Sequence, residues 1–126
     1  MSSIFRGSDN FDTAVGVDGP TIARCWASWN GTSTAALIDD VGISSLTDNG
    51  SGDFSFGFTN SFANSGYTVG GWFTFTSANI YSYMVKPRQV SDIATSSVRV
   101  FTVYAGPSSG KQDYSYNNFV CHGDLA

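Results

Sequence analysis

The 126-residue chain has the length of one domain and can bury a core without a disulfide or metal staple. Charged residues make up only 13% of it, aromatics reach 15%, and every acidic residue is Asp, a profile that disfavours helix surfaces and favours strands and turns. The formal net charge is −4, and the six basic residues (Arg6, Arg24, Lys86, Arg88, Arg99 and Lys111) are scattered, which argues against a nucleic-acid binder with its basic patch.

Residues 1–20 are polar and irregular, punctuated by Gly7, Gly16, Gly19 and Pro20. They read as an N-terminal attachment arm, with Ile4, Phe5 and Phe11 as apolar anchors, ahead of a β domain over residues 21–126. No long apolar run follows Met1, so no signal peptide is visible and synthesis in a cytoplasm is expected. No segment approaches the roughly 20 apolar residues of a membrane-inserted helix.

From Thr21 the pattern is strand, turn, strand. Ile22 to Trp29 predicts a first strand, ended by Asn30-Gly31-Thr32. Ala35 to Leu46 predicts a second, bent or bulged near Asp39-Asp40 or Gly42. After the polar turn Thr47 to Asp53, Phe54, Phe56 and Phe58 alternate with Ser55, Gly57 and Thr59, so the three rings share one face of a strand. Phe62 to Gly66 reads as a loop, Tyr67 to Thr76 as a strand broken or bulged at Gly70-Gly71, and Ile80 to Val85 as a strand stopped by Pro87. Lys86-Pro87-Arg88 reads as a solvated loop, and Gln89 to Ala94 holds one helical turn at most. Ser97 to Ala105 sets Val98, Val100, Thr102 and Tyr104 against Arg99, Phe101, Val103 and Ala105, and Tyr116 to His122 closes the series before a flexible tail, Gly123 to Ala126. The fold class is all-β: an antiparallel sandwich or barrel-like domain of about seven strands with an extended N-terminal arm.

Several strings carry a resemblance. Arg24-Cys-Trp-Ala-Ser-Trp-Asn-Gly-Thr-Ser-Thr34 is similar to the W-x-x-F-N-G-T-G-T opening of a small module found in phage tail fibres and prophage virion structural proteins. Trp26 matches its tryptophan, Trp29 stands where phenylalanine is usual, and Ser33 replaces a glycine. Ile43 to Asp53 resembles the V-S-S-I-T-D-N-G-T-G-D-Y block, and Phe54 to Thr59 its following aromatic strand. Asn64 to Gly70 is similar to a later A-N-Y-x-V-x-G segment. The resemblance implies a homotrimeric virion surface protein without enzymatic activity, made in the host cytoplasm and placed beside other fibre, tail or capsid proteins. Host attachment at a fibre tip is the expected role. Because Met1 stands just ahead of the module, the alternative is a capsid decoration or head-fibre protein anchored by its arm.

The residues offer little chemistry of their own. His122 is the single histidine, beside Cys121 near the C-terminus, and reads as a surface or satisfied residue rather than a general base. Asp39 and Asp40 alternate faces in an extended chain and do not flank one substrate. The Asp48 to Asp53 segment lacks the spacing and the closing Glu of a calcium loop. The sequons at Asn30 and Asn49 read as Asn-Gly turns. No catalytic, cofactor or metal-ligating residue is expected. Cys25 and Cys121 read as buried free thiols in a reducing compartment, and the sequence leaves their pairing open. Phe54, Phe56, Phe58, Phe73, Phe75 and Phe101 are expected in the core and subunit contacts. Trp72, Tyr81, Tyr83, Tyr114 and Tyr116 are the candidates for contact with a host glycan or protein, since exposed Trp and Tyr join a flat apolar face to a polar handle.

Overall fold

A computed structural model describes residues 23–74, 82–105 and 110–126. The expected arm, with Ile4, Phe5 and Phe11, lies outside the described residues, as do Phe75 and Tyr81.

The described chain is mostly strand, with no α-helix among the described residues. In order it runs β1 (Ala23–Asn30), β2 (Ala36–Val41), β3 (Ile43–Gly50), β4 (Asp53–Phe58), β5 (Thr68–Thr74), β6 (Ser82–Lys86), β7 (Ser97–Ala105), β8 (Gly110–Lys111) and β9 (Tyr116–His122). One short 3-10 turn, Val90–Asp92, sits between β6 and β7, where the sequence allows a single turn. Asp92 closes it: its carboxylate accepts from the backbone N–H groups of Arg88 and Gln89.

Every ladder is antiparallel, in the order β2-β1-β9-β5-β6-β7-β4-β3, with β8 beside β7. The two outermost strands of that order, β2 and β3, are consecutive in sequence and separated by Gly42 alone. The chain thus crosses from one edge of the sheet to the other in one residue, and the sheet curls into a nearly closed barrel. Gly42 makes this corner at φ +72, and a Cβ there would lie 2.8 Å from the carbonyl oxygen of Arg24. Only glycine meets both demands without strain. The long second strand expected from the sequence is therefore two strands around a corner, and a register shift leaves Ile38 as the extra residue of β2 opposite β1.

Alternation builds the interior. Cys25, Ala27 and Trp29 of β1, Phe54, Phe56 and Phe58 of β4, Val98 and Val100 of β7, and Phe119 and Cys121 of β9 are all buried. Trp29 is the hub, with edge-to-face contacts to Phe56 at 4.7 Å, Phe54 at 5.7 Å and Phe119 at 5.8 Å between ring centroids. A second cluster fills the other end of the barrel, where Phe62 stacks on Tyr67 at 4.1 Å and Phe58 meets both rings edge-on. The Tyr67 hydroxyl donates to the carbonyls of Ala94 and Ser97 and so fastens the loop ahead of β7.

Three local expectations are corrected. Gly70-Gly71 neither breaks nor bulges β5 against β9, whose register runs unshifted from Thr68 to Thr74. A Cβ on Gly71 would collide with the carbonyl oxygen of Asn118 and stand 2.8 Å from the Cα of Phe119, so glycine is what lets the two backbones approach. The tail after β9 is pinned: Leu125 bridges Phe62, Ala63 N–H donates to the Asp124 carbonyl at 2.7 Å, and Ala126 N–H to that of Ser61 at 2.9 Å. The segment Lys86-Pro87-Arg88 is not wholly a solvated loop, since Lys86 ends β6 opposite Phe101.

Candidate functional site

Two outward features stand out on the barrel. The first is an apolar face on β1, β9, β5 and β6. Register places Trp26 between Val41 of β2 and Val120 of β9, and Val120 beside Gly70 of β5. In the neighbouring row Ser28 lies opposite Asn118, and Asn118 opposite Trp72. The β5–β6 register pairs Gly71 with Val85, so its next step sets Trp72 opposite Met84, which in turn faces Val103 of β7. Tyr116 follows on β9 opposite Thr74. The exposed fractions are 59% for Trp72, 48% for Val41, 44% for Tyr116 and 41% for Met84, high for large apolar side chains gathered on one regular surface. A Cβ on Gly70 would meet no atom within 4 Å, so the Trp26–Val120 row is open where it reaches β5.

Of the five aromatic candidates, Trp72 and Tyr116 belong to this surface. Tyr114 does not: it is 4% exposed, packs in the core and hydrogen-bonds Gln112 Oε1. It is held inward because its carbonyl accepts from Gly31 N–H at 2.8 Å and from Asn117 Nδ2 at 2.9 Å. Tyr83 lies in β6 opposite Tyr104, and only its backbone position is described.

The second feature surrounds Phe101. This ring alternates with the core residues of β7 and so points outward, yet it is only 2% exposed. Arg88, Arg99 and Lys111 cover it, their charged groups 5.1, 5.4 and 5.3 Å from the ring centroid. Three cations scattered in the sequence thus converge in space. Asp53, opposite Phe101 in the β4–β7 register, accepts a forked pair from Arg99 at 2.8 and 2.7 Å and lies 3.9 Å from Lys111 Nζ. The Arg99 hydrogen bonds hold its carboxyl below the ordinary carboxylate range, against the opposing effect of burial. Sequence reasoning missed this cluster because nothing local marks Phe101 as covered.

The Asp48 to Asp53 segment folds as a hairpin turn. Asp48 accepts from Gly50 N–H at 2.9 Å, Asn49 Nδ2 donates to Ser55 Oγ at 2.7 Å, and Asp113 accepts from Gly52 N–H at 2.7 Å. Asn30 likewise closes its own turn, accepting from the backbone and hydroxyl of Thr32. Cys121 points into the core while His122 lies on the alternate face of β9, so the two do not form a working pair. Among the described residues no three His, Cys or Asp side chains gather as metal ligands would, and no helix is long and apolar enough to cross a membrane. An open cleft lined by Val69, Pro87, Val90 and Ile93, with Arg88 and Gln89 at its polar side, lies by the 3-10 turn.

No family model, curated protein or solved structure matches the chain.

Proposed function

We propose that this chain is a non-enzymatic binding module of the phage virion surface, of the tail-fibre type, that attaches to a host receptor through the outer face of β1, β9, β5 and β6. The observation that carries the reading is the open stripe formed by Trp72, Met84 and Tyr116, which the barrel does not need for its own core. Flat Trp and Tyr surfaces flanking the Asn118 amide suit stacking on, and hydrogen bonding to, a sugar ring or a protein loop. The two sequence blocks behind the resemblance fold as β1 with its Asn30 turn and as the β3–β4 hairpin. Homotrimeric assembly on a fibre would multiply weak single contacts by avidity.

The test pairs cell binding with mass. Labelled chain is measured on host cells, and its mass by light scattering, for the native protein and for Trp72→Ala with Tyr116→Ala. The native chain is expected near three times 13.4 kDa and the variant at the same mass, with host binding reduced at least tenfold. A variant that binds cells as the native chain does overturns the assignment of this face. A variant that falls to monomer makes the face a subunit contact instead. Immunogold labelling of particles distinguishes location: gold at fibre tips supports attachment, whereas gold spread over heads transfers the chain to capsid decoration.

A further inference from the structure

Cys25 and Cys121 stand near opposite ends of the described sequence and directly opposite each other in the β1–β9 ladder. Both side chains point into the barrel, both are free, and they are 2% and 0% exposed. Directly opposed residues in an antiparallel ladder have Cα atoms about 4.5–5.5 Å apart. That spacing falls inside the roughly 4.4–6.8 Å range of disulfides. The backbone is therefore already placed for a bond. Burial and its neighbour Cys25 push the Cys121 thiol well up, so Cys25 is the member of the pair that ionises more readily.

We propose that Cys25 and Cys121 form an oxidation site, which a small disulfide such as oxidised glutathione converts into a cross-strand disulfide tying β1 to β9. The Cys25 thiolate attacks one sulfur of the oxidant, forming a mixed disulfide and releasing one glutathione thiolate. The Cys121 thiolate then attacks the Cys25 sulfur and releases the second glutathione. The protein gives up two electrons and two protons, and the oxidant leaves as two reduced glutathiones. The bond closes nearly the whole domain into one loop and joins β1 to β9, its neighbour in the sheet order and the last strand of the chain. This inference stands apart from the host-attachment reading, since it follows from register and burial alone.

The experiment uses the full chain. Because the thiols are buried, the protein is unfolded in urea and refolded in buffers of rising oxidised-glutathione fraction. It is then alkylated, and its intact mass and thermal midpoint are measured. The expected product is a species two hydrogens lighter, without alkylation and without retained glutathione. Half-conversion should need about tenfold less oxidised glutathione than for the chain held in urea, and Tm should rise by roughly 5–10 °C over the reduced form. Non-reducing peptide mapping should show one cross-linked pair containing Cys25 and Cys121, a readout that does not depend on any variant folding. Cys25→Ala and Cys121→Ala should each leave one alkylatable thiol. A chain that stays reduced under excess oxidant, retains glutathione, or oxidises no more readily than in urea overturns the proposal.

Discussion

Trp29 carries the residue-scale lesson best. It is fully buried, and its indole N–H has no hydrogen-bond partner among the described residues. Trp29→Phe should therefore cost less than its lost volume suggests, about 1 kcal/mol or less, because it also removes an unsatisfied donor worth about 1–3 kcal/mol. Trp29→Ala should cost about 3–5 kcal/mol through its cavity, and urea unfolding of the two variants separates the cases. Asp53 makes the electrostatic counterpart. Its carboxyl is depressed by the Arg99 hydrogen bonds, so its contribution is full above the ordinary carboxylate value near 4 and is lost as pH falls through the lower folded value. Tm of the native chain should fall below about pH 4. Asp53→Asn should lose about 1–2 kcal/mol at neutral pH and show a flatter acid limb in the same thermal scans.

At the scale of elements, β5 shows how one residue type serves two ends. Gly70 faces open space on the outer surface, while Gly71 is pressed against the backbone of β9. Gly71→Ala should destabilise by about 1–3 kcal/mol, with β5 amides exchanging faster, because the added methyl has no soft side chain to displace. Gly70→Ala should leave stability within about 0.5 kcal/mol. Equal effects at the two positions would refute the close approach of β5 and β9. From the sequence the pair reads as a single break, since glycine weakens a strand wherever it falls; only the neighbouring strand decides which glycine is needed. Strands β4 and β7 were legible because their alternation is unambiguous over six and nine residues, and β7 was expected over the range it occupies. The two residues of β8 are too few to show any period.

For the whole molecule, closure is the decisive fact. The strands that end the sheet order are adjacent in sequence, so the Gly42 corner joins the two edges of the barrel. Gly42→Ala should be strained by its positive φ and by the Arg24 carbonyl, lowering stability by about 1–3 kcal/mol and loosening β2 and β3 together in hydrogen exchange. The same closure turns scattered cations into one cover over Phe101 and sets Trp72 near Tyr116 while burying Tyr114. The exposed pair was accessible to aromatic counting, but the sorting of outward from inward tyrosines was not. Tyr114 precedes its strand, where alternation does not apply, and its burial follows from hydrogen bonds to Gly31 and Asn117.

The sequence by itself determined the all-β class, the turns at Asn30 and Asp48 to Asp53, and the shared face of the three β4 rings. These follow from turn chemistry and a period of two, which are properties of neighbouring residues. The tertiary structure alone decided the strand order, the barrel closure, the covered Phe101, the pinned tail and the facing of Cys25 by Cys121. Each depends on register between segments far apart in the chain, and a one-residue slip in that register would send every side chain of a strand to the other face.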